Sequence, residues 1–224
     1  MNETETLFEA DLESLAVHEI SHMLVAFSQG IPATVKMQIA DDGSLSGGFC
    51  ERDFAGSKFE SAVVGWAGVI GEHLLNRVSR HSTPLLYPLT EATIVKWHWE
   101  ALFFLNELSD GDRRHVSGHL DTLESCQHCF RILSKRTAEI RQDARLLADK
   151  TRIEREAKLA ARREFEAAKK TASAWAVNPP RMSTSERAEH LSSFLDGLPA
   201  NDLQRIKFAP LLDCLLRGIE PGAE

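Results

Sequence analysis

The chain has 224 residues, of which 43% are hydrophobic and 26% are charged, and its formal net charge is -7. This size and composition predict a folded protein with one sizeable core, alone or with an appendage, and exclude a disordered chain. The acidic balance gives no sign of the basic surface that nucleic-acid binding requires, so we expect no nucleic-acid partner.

The start of the chain predicts neither an export signal nor a membrane anchor. Residues 1–13 are acidic and lack the basic and apolar segments of a secretory signal. The longest strongly apolar run, residues 62–71, is about half the roughly 20 residues of a membrane helix. The cysteines are too sparse for a secreted disulfide framework. We therefore expect a cytoplasmic protein without a membrane partner.

The first elements predicted are a helix and a β-hairpin. Apolar residues recur at helical spacing over residues 8–29, and Gly30 and Pro32 end the pattern. Residues 34–39 then alternate apolar and polar side chains, an Asp-Asp-Gly turn follows, and residues 45–50 return.

The rest of the chain predicts helices alone. We expect an apolar helix over 58–78, an aromatic-rich helix over 91–105 and a third from 109 through 132. Residues 135–175 contain neither Gly nor Pro and predict one long charged helix. Residues 184–218 predict two short helices with a hinge at Gly197-Leu198-Pro199.

The predicted fold class is therefore mainly α with a small β-hairpin or sheet, an α+β arrangement. The expected organisation is a core-forming domain over residues 1–134, a long charged helix over 135–176 and a short helical tail over 181–224.

The strongest chemical signal lies in the first helix, where residues 18–22 read His18-Glu19-Ile20-Ser21-His22. Residues four apart lie about 40° apart around a helix, so the two imidazoles can reach one ion at about 2.0–2.1 Å. Glu19 is placed to take a proton from water at that ion, as a general base does. The spacing therefore predicts a zinc site.

The alternative interpretation is an ordinary surface helix with two solvated histidines. The flanking residues Ala16, Val17, Met23 and Leu24 argue against it, since they place the motif beside a core. Buried polar groups are costly unless they are paired or bound to a metal.

The stretch from Ala16 to Phe27 resembles the peptidase domain of FtsH-type ATP-dependent zinc metalloproteases, whose motif helix reads H-E-A-G-H-A-x-V-A. Residues 35–47 are similar to the strand pair that follows it, and Trp66 to Leu75 is similar to an apolar helix with the pattern A-G-x-x-A-E. Ser21 and Val69 depart from that family's Gly and Arg.

The resemblance covers roughly residues 12–133 and implies a third zinc ligand, an Asp at the start of a later helix. Asp112 is the candidate, and Asp110 is the alternative. Glu72 falls on the family's Glu and would support the ligand helix. The chain has no phosphate-binding G-x-x-x-x-G-K-[ST] loop, so a free-standing domain without the ATPase module is implied.

Asp112 also has an ordinary structural interpretation. Ser109 is a natural N-cap, and an Asp in the first helical turn needs no metal. Asp112, His115 and His119 share one helix face, which continues through Cys126 and Cys129. A separate zinc site on that face would span about 21 Å of continuous helix, so we expect the cysteines to be core residues.

The charged helix carries more Lys and Arg than Asp and Glu, whereas the rest of the chain is acidic. One interpretation is a solvated helix with internal ion pairs, and the other is an arm over 135–176 for a protein partner or self-association.

Two functions are compatible with these residues. The first is a zinc metalloendopeptidase, a hydrolase of protein or peptide substrates, with His18, His22 and Asp112 on zinc and Glu19 as general base. The second is a catalytically silent metal-binding or interaction module that assembles through the charged helix.

Overall fold

The structure is a computed structural model that describes residues 3–52, 56–76, 88–99, 108–117, 122–177, 183–197 and 203–216. Within these ranges the chain is mostly helical, and two strands form a small antiparallel sheet. The predicted fold class, mainly α with a small β-hairpin, is confirmed.

The helices and strands follow one another along the chain in this order: α1 Glu3–Ser28, β1 Ala33–Ile39, β2 Leu45–Arg52, α2 Lys58–Gly65, α3 Ala67–Leu75, α4 Glu91–Trp99, α5 Asp110–Ser117, α6 Thr122–Leu133, α7 Thr137–Val177, α8 Thr184–Asp196 and α9 Leu203–Leu216. The chain divides into two compact units, residues 1–156 and residues 157–224.

Helix α1 and the hairpin form as predicted. Gly30 has a φ of 73°, the left-handed conformation that commonly ends a helix, and its N–H donates to the Phe27 carbonyl at 3.0 Å. Strand β1 pairs with β2 from Ala33 opposite Arg52 to Ile39 opposite Leu45. The turn between them contains Gly43, with a φ of 82° that favours glycine.

The prediction of one helix over residues 58–78 is wrong, because two helices, α2 and α3, meet at Trp66. The irregularity lies between Gly65 and Gly68, and glycine lowers the preference for a continuous helix. The indole of Trp66 is buried, and its Nε1–H donates to Ser125 Oγ at 3.1 Å. Residues 77 and 78 lie outside the described residues.

The next predictions are met where the structure describes them. Helix α4 begins at Glu91 as expected, and residues 100–105 of the predicted helix lie outside the described residues. Helices α5 and α6 occupy the region predicted as one helix over 109–132. Residues 118–121 between them, including His119, are also outside the described part.

Helix α1 is the central element of the first unit, because it contacts the hairpin, α2, α3 and α6. Its buried stripe repeats every fourth residue, as an amphipathic helix requires. Helix α5 packs on α2, and α6 packs on α2, α3 and α4. Full burial of one such Leu or Ile contributes about 1.5–3 kcal/mol. The stripe consists of Leu12, Ala16, Ile20 and Leu24.

The long helix predicted over 135–175 is confirmed as α7. Its first part is not evenly solvated, because one face is buried in the core of the first unit. Arg152 forms an ion pair with Glu9 at 2.6 Å, and the Arg155 guanidinium lies 3.9 Å from the centre of the Phe8 ring. The buried face contains Ile140, Ala144, Ala148 and Thr151.

The two short helices of the tail are also confirmed, as α8 and α9. Ser183 caps α8 through a reciprocal pair of hydrogen bonds with Glu186. The two helices pack together, and the Arg205 Nη1 group donates to the Leu195 carbonyl at 2.9 Å.

Over the described part of the chain, no helix has both the length and the apolar character needed to cross a bilayer.

Candidate metal centre

The two histidines of α1 face each other. Their ring centres are 4.8 Å apart, and their Nε2 atoms are separated by 3.1 Å. His22 is 3% exposed, whereas the His18 side chain retains 17% of its accessible surface. One ring is therefore part of the core, and the other borders solvent.

The second nitrogen of each ring, Nδ1, also contacts a polar group. His22 Nδ1 lies 2.7 Å from the Val64 carbonyl oxygen. Since a carbonyl only accepts, this nitrogen donates, and Nε2 of a neutral ring is left with a lone pair. His18 Nδ1 lies 2.7 Å from Oε1 of Glu72, a buried carboxylate on α3. Both contacts aim the Nε2 atoms at one point.

Asp112, in the first turn of α5, completes the group. Its Oδ2 atom is 3.3 Å from His18 Nε2, and its Oδ1 atom is 3.3 Å from His22 Nε2. The residue is 7% exposed, and its carboxylate also accepts a hydrogen bond of 2.7 Å from Ser109 Oγ. Asp112 is therefore both a first-turn residue of α5 beside Ser109 and a neighbour of the two histidines.

This donor set fits a metal ion. One ligand atom each from His18, His22 and Asp112 lies within 4.8 Å of the others, so the three form a group that could hold a metal. Bonds of about 2.0–2.1 Å at tetrahedral angles place ligand atoms about 3.3 Å apart, close to the separations found here. Two facing imidazole lone pairs repel each other unless a cation lies between them, whether a metal ion or a proton on one of the rings.

The electrostatics of the group also favour a cation. Burial lowers the pKa of His18, but hydrogen bonds and negative charge from Asp112 and Glu72 outweigh it and raise the pKa from 6.5 to about 10. Burial raises the pKa of Asp112, but the His22 and His18 imidazoles hold it far below its ordinary value. The site therefore stabilises positive charge between two carboxylates.

Three glycines, spaced three residues apart along α2 and α3, allow the helices to approach this closely. A Cβ atom on Gly68 would overlap the His18 ring, and one on Gly71 would overlap Ser21 Oγ. A Cβ atom on Gly65 would lie 2.9 Å from Val116 Cγ2 and 3.1 Å from the Asp112 carbonyl oxygen. This Gly-x-x-Gly-x-x-Gly spacing is present in the sequence but was not among the predicted features of the site.

Glu19 lies beside the group without joining it. The residue is 6% exposed, and within the described part of the chain no hydrogen bond to its carboxylate is found. Burial raises the pKa of Glu19, and the charges of His22 and His18 oppose that rise only in part. Strand β2 passes close by, since a Cβ on Gly48 would lie 2.9 Å from Glu19 Cγ.

A cavity of about 690 Å³ opens onto these residues. His18, His22, Asp112 and Glu19 are among the residues that line it. Strand β2 contributes Arg52, and α5 contributes His115. His115 was predicted to share a helix face with Asp112, but neither His115 nor Arg52 was predicted to belong to this site.

The remaining predicted residues lie elsewhere. Asp110 is exposed at the start of α5 and is not part of the group with the two histidines. Cys126 and Cys129 are free, buried thiols in the core of the first unit, and burial raises the pKa of both.

Comparison of the chain with protein-family models, with curated proteins and with solved structures finds no match.

Proposed function

We propose that this chain is a zinc-dependent metalloendopeptidase. The observation that supports it most is the convergence of His18, His22 and Asp112 on one point, with the Glu19 carboxylate beside them in an accessible cavity. The resemblance of residues 12–133 to FtsH-type peptidase domains supports the same activity and the choice of zinc. The lack of a secretory signal pattern in residues 1–13 and the sparse cysteines support a cytoplasmic location.

The donor set suits zinc, because two imidazoles and one carboxylate with room for water are typical of catalytic zinc sites. When bound, zinc supplies a Lewis acid that polarises a peptide carbonyl and lowers the pKa of water. The contacts from Glu72 and Val64 hold the two rings in the orientation that binding needs.

Glu19 performs the proton transfers. Its buried carboxylate accepts a proton from the water that attacks the peptide carbonyl, and it then passes that proton to the leaving amine. A raised pKa suits this role, because a base with a pKa nearer neutrality can both accept and return the proton.

The first prediction tests Glu19 directly. Purified protein should contain about one zinc per chain and cleave an unfolded protein such as casein. Glu19→Gln should retain zinc but lose at least about 100-fold in cleavage rate, since general acid–base catalysis contributes on that order. The measurement is metal content by mass spectrometry together with initial rates.

Glu51→Gln is the matched control, because it removes the same charge from an exposed residue of β2 that pairs with Lys36. It should cleave like wild type. Zinc retained without cleavage by wild type would favour the metal-binding module instead, and a Glu19→Gln variant with wild-type activity would contradict the proposed base.

A further inference from the structure

A second polar side chain of α5, that of His115, lines the same cavity as Glu19. His115 follows Asp112 by three residues, so both side chains leave the helix on the same side. Both line the cavity of about 690 Å³. A substrate carbonyl that approaches the metal-binding group therefore comes close to the face of α5 that carries His115.

The His115 ring is oriented by α2. The Ser61 Oγ atom lies 2.9 Å from His115 Nδ1. One helical turn further along α2, the absence of a side chain on Gly65 lets α5 approach, since a Cβ there would lie 3.1 Å from His115 Cβ. The same contact between α2 and α5 thus positions both Asp112 and His115.

The contact with Ser61 is compatible with a His115 tautomer that carries its proton on Nε2. When the Ser61 hydroxyl donates to Nδ1, a neutral imidazole carries its proton on Nε2. Burial, together with the nearby Arg52 guanidinium, lowers the pKa of His115 and favours the neutral ring at pH 7. In this tautomer the N–H of the ring is on Nε2, the nitrogen that Ser61 does not contact.

We propose that His115 is a catalytic residue that donates a hydrogen bond from Nε2 to the carbonyl oxygen of the scissile peptide bond, and that Ser61 is its positioning residue. This inference rests on the proposed peptidase function. The water oxygen bonds to the carbonyl carbon, the carbonyl oxygen gains negative charge, and Glu19 holds the water proton. The C–N bond then breaks, the amine takes that proton, and His115 keeps its own throughout.

A donor of this kind contributes mainly in the transition state, where the oxygen carries most charge. His115→Phe, which keeps a ring but removes both nitrogens, should lower kcat by about 100-fold or more and change KM only a few-fold. Zinc content and the thermal midpoint should stay near wild type. His115→Gln, which restores an N–H donor, should recover part of the lost kcat.

The decisive readout is the affinity for a phosphonamidate peptide, which imitates the tetrahedral transition state. Its inhibition constant should rise in His115→Phe in parallel with the loss in kcat/KM, because both depend on the same hydrogen bond. His128→Phe is the matched control, since His128 is an exposed histidine of α6 beside Phe59, and it should behave like wild type.

The possible outcomes separate the two proposals. Wild-type protein that binds zinc and cleaves no peptide overturns both. Active wild type with unchanged kcat and unchanged phosphonamidate affinity in His115→Phe overturns the role of His115 alone. Zinc lost from a folded His115→Phe variant also overturns it. If that variant does not fold, Ser61→Ala decides: a fall in kcat at constant KM supports the proposal, and wild-type kinetics contradict it.

Discussion

The His18 imidazole is held between two carboxylates, Glu72 on Nδ1 and Asp112 near Nε2. The first contact orients the ring and raises the basicity of the nitrogen that would bind a metal. The second places a further potential ligand beside the ring. A single ring therefore connects α1 with α3 and α5.

Glu72→Gln tests the orienting contact. The amide keeps an acceptor for the Nδ1–H but loses the charge, so zinc should bind about 10–100-fold more weakly while the protein stays folded. Competition with a chromophoric chelator measures the dissociation constant. The exposed Glu51→Gln change should leave that constant unaltered, and equal affinities in all three proteins would show that Glu72 does not support the site.

The raised pKa of His18 predicts how the stability of chelator-treated protein depends on pH. A folded-state pKa of about 10, above the ordinary 6.5, means that folding strengthens proton binding. This stabilisation is complete below pH 6.5 and is lost as the pH rises through about 10. The free energy of unfolding should therefore fall over that window.

His18→Gln removes the titrating group and serves as the reference. Urea unfolding of both proteins between pH 6 and pH 10 should show that the stability advantage of wild type over His18→Gln shrinks as the pH rises. An advantage that stays constant, or grows with pH, would contradict the assigned electrostatics.

At the scale of elements, the site depends on how closely α3 approaches α1. Gly68 faces the His18 ring with no space for a Cβ atom, and Gly71 faces Ser21 in the same way. Helix α3 also carries Glu72, so its approach to α1 determines the hydrogen bond to His18 as well.

Gly68→Ala should therefore displace the His18 ring and weaken zinc binding, although alanine favours helix more than glycine does. The expected result is a loss of at least about 10-fold in zinc affinity with helical content retained, measured by titration and circular dichroism. Gly197→Ala is the control, because a Cβ there meets only ordinary contacts of 3.5 Å and longer. Normal zinc binding by Gly68→Ala would mean that the ring is not confined as described.

Local sequence signals predicted α1, the hairpin and the pair of histidines, because helical periodicity, turn residues and a four-residue spacing act over short distances. They could not decide between Asp110 and Asp112. That choice depends on the rotation of α5 relative to α1, which the packing of α5 on Gly65 determines. Glu72 was identified only through a family pattern, since its contact with His18 joins residues 54 positions apart.

At the scale of the whole molecule, the composition of α7 predicted that it is a helix but did not predict which of its side chains are buried. Residues 137–156 read as uniformly charged, yet small and apolar side chains every third or fourth position are buried in the first unit. Ala144 and Ala148 are too small to stand out in a hydrophobicity pattern. Arg136 Nη1 donates a hydrogen bond to the Leu24 carbonyl at 3.0 Å. This contact could not be predicted from local sequence either, because it joins residues 112 positions apart.

The central claim is that three side chains from α1 and α5 bind one metal ion, and diffraction at the zinc absorption edge from zinc-loaded crystals tests it most directly. We expect one strong anomalous peak about 2.0–2.2 Å from His18 Nε2, His22 Nε2 and a carboxylate oxygen of Asp112. No peak between these groups, or a peak bonded to other residues while the two rings point apart, would contradict the claim.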